Sequence, residues 1–192
     1  MNKFSLSYSK EKVFPGRVKD AAGEYYVINA DFRNILKIIR LFGDSKVLDA
    51  QKYLLGCKWF YADGMPDISE AVTLMTKFMY RHEKGGDEGK KTPPQFDYEF
   101  DAEEIYTSFL LDYKVDLVEV DFLHWYKFQI MLMNLSAESP FFNKIKLRFA
   151  DLKDYKGDSL AKVTRAKRMV QLPVKYSAEE EKRLRDVMSK LR

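Results

Sequence analysis

The stretch Val120-Asp-Phe-Leu-His-Trp-Tyr-Lys-Phe-Gln-Ile-Met-Leu-Met-Asn-Leu135 decides the reading of the fold. Eleven of its sixteen residues are apolar, and polar Asp121, His124, Lys127 and Asn134 trace a narrow i, i+3, i+6, i+13 stripe. A helix this apolar must be buried on most sides, which places it at the centre of a mainly α-helical fold. It is shorter than the roughly 20 apolar residues a membrane helix needs, and it carries charge.

Working outward, the flanking segments also read as helices. Ser139-Pro140 opens one, with proline at the first helical position, where its missing N–H costs nothing, and with Phe142, Ile145 and Phe149 inward. Another starts at Ser159, with Leu160, Val163 and Val170 on one side and Lys162, Arg165 and Arg168 on another, and Pro173 stops it. Ser177-Ala-Glu-Glu180 is a capping-box start for a last helix bearing Leu184, Val187, Met188 and Leu191. Upstream, Phe96-Asp-Tyr-Glu-Phe-Asp101 alternates aromatic and acidic residues, the period of a short strand. Asp101 then caps a helix facing inward with Ile105, Phe109, Leu110 and Tyr113. Residues 83–95 read as a flexible surface loop rich in glycine, proline and charge.

Nearer the N-terminus, Asp67 and Glu70 form a helix start, and Ile68, Ala71, Val72, Met75, Met79 and His82 continue one stripe. A helix over 46–62 is expected to turn Leu48, Leu55 and Trp59 inward. Phe32, Ile35, Leu36, Ile39 and Phe42 share a helix face that Gly43 ends. Before them, a strand at Gly16–Lys19, a turn at Asp20–Gly23 and a strand at Glu24–Ile28 make a hairpin. The expected architecture is mainly α: a compact domain of about eight helices over residues 1–173, with a small N-terminal β-hairpin near 16–28 and one short extra strand. The amphipathic helix at 177–192 either docks on that core or stands as an appendage.

The chain has 192 residues, of which 46% are hydrophobic and 15% aromatic, enough for a sizeable core and too many for a disordered chain. Cys57 is the only cysteine, which excludes an intrachain disulfide and fits a reducing compartment. The first residues lack the apolar run of a secretory signal, so the expected location is the cytoplasm.

Catalytic patterns fail one by one. With only His82 and His124 as histidines, Cys57 and the serines have few candidate bases, and no ligand pair has zinc spacing. Lys84-Gly-Gly-Asp-Glu-Gly-Lys-Lys-Thr92 fails the phosphate-loop pattern at Lys84 and Lys91. Asp97-x-Glu99-x-Asp101 opens like a calcium loop, but Ala102 stands where glycine is required and Ser108 where a bidentate glutamate is required. No enzymatic activity, metal or cofactor is expected.

Charge is more informative. Residues 97–121 hold nine acids against Lys114, net −8, and residues 143–192 hold fifteen bases and seven acids, net +8. Such blocks either face solvent, attract each other within the fold or between copies, or face a partner. Bases at 144, 146, 148, 162, 165, 167 and 168 suit phosphate contacts, without a recognised reading motif beside them.

Several segments in order resemble one family: Phe4-Ser-Leu6, Tyr26-Val-Ile-Asn-Ala-Asp-Phe-Arg33, Phe96 to Tyr106, Phe109 to Tyr113, Leu123-His-Trp-Tyr-Lys-Phe128, and Lys162 to Leu172 ending at Pro173. Together they are similar to small proteins encoded by long-tailed phages and prophages of Gram-positive bacteria, in the tail module ahead of the tape-measure gene. The resemblance implies a tail assembly chaperone, with the tape-measure protein and other tail proteins as partners, and implies no catalytic residues. The alternatives are a structural tail or connector component kept in the virion, or a nucleic-acid-binding accessory protein. The candidate partner-facing residues are Arg165, Arg168, Leu184, Val187, Met188 and Leu191.

Overall fold

The computed structural model describes residues 7–80 and 95–173. Among them are eight α-helices and one three-stranded antiparallel sheet, so the chain is mainly α-helical. They form two compact units, one from residues 7–80 with 122–128, the other from 95–121 with 129–173. The expected helix over 177–192, His82 and most of the 83–95 loop lie outside the described residues.

In the first unit, a short helix α1 (Lys10–Val13) precedes strands β1 (Arg17–Lys19) and β2 (Tyr25–Ile28), which pair with Val18 opposite Tyr26. Gly23 takes φ +98° in the turn, a conformation that costs a glycine little, and Asp20 accepts the Glu24 N–H at 2.7 Å. The hairpin is where the sequence placed it. A third strand, β3 (Tyr61–Asp63), adds to β2 with a register shift at Val27/Ile28. The extra strand is therefore at 61–63 and not at 96–101.

Helix α2 (Phe32–Gly43) is capped by Asp31, which accepts the Arg33 N–H at 3.0 Å, and it buries Phe32, Ile35, Ile38 and Leu41. Leu36, Ile39 and Phe42 are only half-buried. Helix α3 (Asp49–Phe60) buries Gly56, Cys57 and Phe60, whereas Leu48 and Leu55, expected inward, are exposed. A Cβ on Gly56 would lie 3.1 Å from the Phe42 ring, so the glycine lets α3 approach α2 closely. Helix α4 (Ile68–Met79) buries Ala71, Met75, Phe78 and Met79. Its expected capping box is absent: Asp67 makes no side-chain cap, and Glu70 instead accepts the Ala21 N–H of the hairpin turn at 2.7 Å.

The central apolar stretch is helical only from Trp125, in α6 (Trp125–Met133). Just before it, the Leu123 carbonyl accepts the Phe32 N–H at 2.9 Å, and Trp125 N–H donates to Ala30 at 2.8 Å. This bridge between Asp31 and His124 takes up the backbone groups that an earlier helix start would need. Within the first unit, Trp125 Nε1 donates to the Met79 carbonyl at 3.0 Å, and Phe128 stacks on Phe32 at 4.7 Å. Both Trp125 and Phe128 are fully buried, each stabilising the core by ~1.5–3 kcal/mol.

The second unit holds helices α5 (Ala102–Tyr113), α7 (Pro140–Phe149) and α8 (Gly157–Met169) with the end of α6. Residues 96–101 form a turn rather than the expected strand. The Asp97 carboxylate accepts the Glu99 and Phe100 N–H groups at 2.9 and 3.1 Å, offering the backbone a local alternative to sheet pairing. Helix α5 buries Ile105, Ser108 and Phe109 but exposes Leu110. The Ser139-Pro140 start of α7 is as the sequence predicts, with Ser139 Oγ accepting the Phe142 N–H at 3.3 Å. A second cap comes from α5: Ser108 Oγ donates to Glu104 at 2.6 Å and accepts the Phe141 N–H at 3.0 Å. Phe149, expected inward, is exposed. Helix α8 buries no residue.

Candidate partner-binding surfaces

Three surfaces and one buried network carry the polar and exposed apolar side chains of interest. The network is in the second unit, where Arg148 on α7 is only 4% exposed and Asp101 at the start of α5 is fully buried. Arg148 Nη2 and Nη1 donate to the Asp101 carboxylate at 2.7 and 3.1 Å, and Nη1 and Nε donate to the Gln95 and Val170 carbonyls at 2.7 Å each. Lys144 sits 3.1 Å from Asp101 and 2.7 Å from Glu104. Burial pushes the Asp101 carboxyl up, but the bonds from Arg148, the Asp97 N–H and Lys144 outweigh it and hold it below the ordinary range. Lys144 is raised: burial works against its charge, and the Glu104 and Asp101 bonds win. Every partner here is satisfied, as a structural cluster requires.

This network rearranges the basic block seen in the sequence. Lys144 and Arg148 are used internally, Lys167 donates to the Ala150 carbonyl, and Lys146 donates to the Ala137 carbonyl at 2.6 Å. The exposed bases left on α8 are Lys162, Arg165 and Arg168. Arg165 and Arg168 are thus solvent-facing, as a partner contact needs. Leu184, Val187, Met188 and Leu191 lie outside the described residues.

The first unit contributes a basic groove of about 1010 Å³ that sequence reasoning missed. Lys12, Arg17, Lys19 and Lys77 line it, with Glu11 as the one acid among its described lining residues, and Leu74 and Tyr126 supply apolar surface. The hairpin register explains the clustering. Lys19 opposes Tyr25 and Arg17 opposes Val27, so all four side chains share the exposed face. Arg17 and Lys19 lie over the Tyr25 ring at 4.7 and 5.3 Å. The period-2 pattern of 17–19 against 25–27 holds that signal, but only once the register is known.

The third surface is the outward side of α3 together with Leu48, its N-cap residue. Leu48 is 70% exposed and Leu54 56%, with Leu55 beside them. Exposed apolar side chains grouped on one helix mark a contact surface more often than scattered ones do.

His124 and Cys57 each sit in an apolar setting in the first unit. Cys57 is fully buried, and burial pushes its thiol up, away from nucleophilic thiolate. His124 Nδ1 accepts the Tyr126 N–H at 3.1 Å, which leaves Nε2 to carry the proton and donate to the Pro15 carbonyl at 3.2 Å. Its ring packs among Phe14, Phe78, Phe122 and Tyr126. Among the described residues, no group of three His, Cys, Asp or Glu is placed to hold a metal ion, and no helix is long and apolar enough to cross a membrane.

The family model described as Bacteriophage Gp15 protein matches residues 15–172. The chain belongs to this phage protein family. The match runs from the entry to β1 through the end of α8, so the Gp15 family pattern covers the groove-lining hairpin, the α3 face and the Asp101–Arg148 network alike. No curated protein and no solved structure matches the chain.

Proposed function

We propose that this Gp15 family member is a tail assembly chaperone of a long-tailed phage of Gram-positive bacteria, acting by binding and without catalysis. Its client is the tape-measure protein, held soluble until tail-tube subunits polymerise around it. The observation that carries the reading is the exposed leucine cluster on α3 and its N-cap, with Leu48, Leu54 and Leu55 turned to solvent instead of into the core. A long helical client offers apolar stripes, and a helix-in-groove or helix-on-helix contact reads them at i, i+3, i+4 and i+7 spacing. Family membership supports a phage role. Exposed Arg165 and Arg168 on α8 offer a separate polar contact surface in the second unit.

The test is affinity capture of the tagged chain from host cells producing phage, paired with analysis of purified virions. Recovery of the tape-measure protein with the chain, and absence of the chain from virions, is the expected result. A chain present in stoichiometric amount in virions, without tape-measure capture, would replace the chaperone with a structural tail or connector component.

A further inference from the structure

The basic groove of the first unit carries four cations against one acid among its described lining residues. Lys12, Arg17, Lys19 and Lys77 form no ion pair among the described residues, and Glu11 is the one acid lining the same space. Four cations held around one concavity repel one another, and an anionic occupant relieves that repulsion. The occupant must also cover apolar surface, because Leu74, Tyr25 and Val27 line the groove between the charges.

The second unit presents a surface of the opposite kind. On α5, Glu103, Tyr106 and Leu110 lie at i, i+3 and i+7, one face of the helix. Tyr106 OH donates to Asp116 at 3.0 Å, and that bond, with Glu119 also nearby, pushes the phenol up. Glu103, Asp116 and Glu119 are thereby joined into one acidic face around Tyr106. Glu103 and Glu119 are exposed and form no ion pair among the described residues, and Leu110 and Val118 place exposed apolar groups beside them. The acids of this face not already bonded to bases are the ones that point outward; Asp101 and Glu104 are taken by Arg148 and Lys144.

We propose that the acidic face of one copy, carrying Glu103, Asp116 and Glu119, docks in the basic groove of a second copy. Charge and apolar character match on both sides: cations without an ion-pair partner around Leu74 and Val27 meet carboxylates that no base neutralises around Leu110 and Val118. A nucleic-acid strand would satisfy the charges too. However, the exposed aromatic of the groove, Tyr25, already has Arg17 and Lys19 over its ring, so it is not an open platform for a base. Because each copy carries both surfaces, the contact is heterologous and propagates into a ring or an open filament.

Sedimentation velocity on the full chain tests this at several protein concentrations and two salt levels. Self-association is expected in low salt, with the association constant falling roughly tenfold or more between about 0.05 and 0.5 M salt. The variants Arg17→Glu/Lys19→Glu and Glu103→Lys/Glu119→Lys should each be monomeric, because like charges then meet at every contact. Mixed in equal amounts they should assemble again, since each junction regains opposite charges. All four side chains are exposed, and circular dichroism checks that both variants fold; the neutral pair Arg17→Gln/Lys19→Gln replaces the reversal if it does not. A wild type that stays monomeric in low salt overturns the proposal, as does assembly that neither reversal disturbs or a mixture that stays monomeric. Groove-dependent binding of a DNA or RNA oligonucleotide by a monomeric wild type would overturn it in favour of a nucleic-acid site.

Discussion

Replacing Arg148 by Met removes the charged head while keeping most of the aliphatic volume, so the loss reads the network and not a cavity. Four donated bonds vanish: two to Asp101 and one each to the Gln95 and Val170 carbonyls. Asp101 remains fully buried, with Lys144, at 3.1 Å, as the cation left beside it among the described residues. Removing one partner of a buried ion pair costs ~3–5 kcal/mol, and the surviving lysine argues for the lower end. A loss of about 3 kcal/mol lowers the thermal midpoint by ~6–12 °C in a chain of this size. Urea titration followed by circular dichroism measures the loss directly. The pH dependence supplies an independent readout. Asp101 is held below its ordinary value, so its contribution is fully present above the unfolded-state value near 3.8 and is lost as pH falls through the folded-state value. The variant lacks most of that contribution, so the stability gap between the two chains should narrow as pH drops from about 7 to about 3. A loss below about 1 kcal/mol with no narrowing in acid would refute the reasoning.

Other outcomes follow from single contacts. Ser108→Ala leaves the Phe141 N–H at the start of α7 without its 3.0 Å acceptor in a buried setting, and should cost ~1–3 kcal/mol in the same titration. Leu48→Asp with Leu55→Asp should abolish tape-measure capture while the thermal midpoint stays within ~2 °C, because surface substitutions of this kind cost little stability. A large fall in midpoint would place these leucines in the core.

How much of this was legible in the sequence depends on where the information lies. The helices at 32–43, 68–79, 102–113 and 140–149 follow from periodicity and from local signals such as Ser139-Pro140, and the hairpin follows from its turn. The faces were harder. In α3 the apolar residues run around the whole helix, so Leu48 and Leu55 read as core as well as Phe60 does. Only the close approach at Gly56 decides which side packs. The start of the central helix was set by pairing with Ala30 and Phe32, some ninety residues earlier in the chain, and no local pattern reports that. Asp97 shows the opposite failure: the alternation at 96–101 imitates a strand, and a short side chain bonding its own backbone overrides it.

Of the candidate surfaces, Arg165 and Arg168 stay exposed as a helix stripe suggested. Lys144 and Arg148, equally basic in sequence, are drawn inward by Asp101, a partner more than forty residues away. The basic groove needed the hairpin register before Arg17, Lys19 and Tyr25 could be placed on one face.

The chaperone reading is tested most directly by co-expressing the chain with the tape-measure protein of the same phage and measuring how much of the latter stays soluble. The expected result is a soluble complex with the wild-type chain, an insoluble tape measure when expressed alone, and loss of the complex with the Leu48→Asp/Leu55→Asp chain. A tape-measure protein that stays insoluble beside the wild-type chain, with nothing captured, would contradict it.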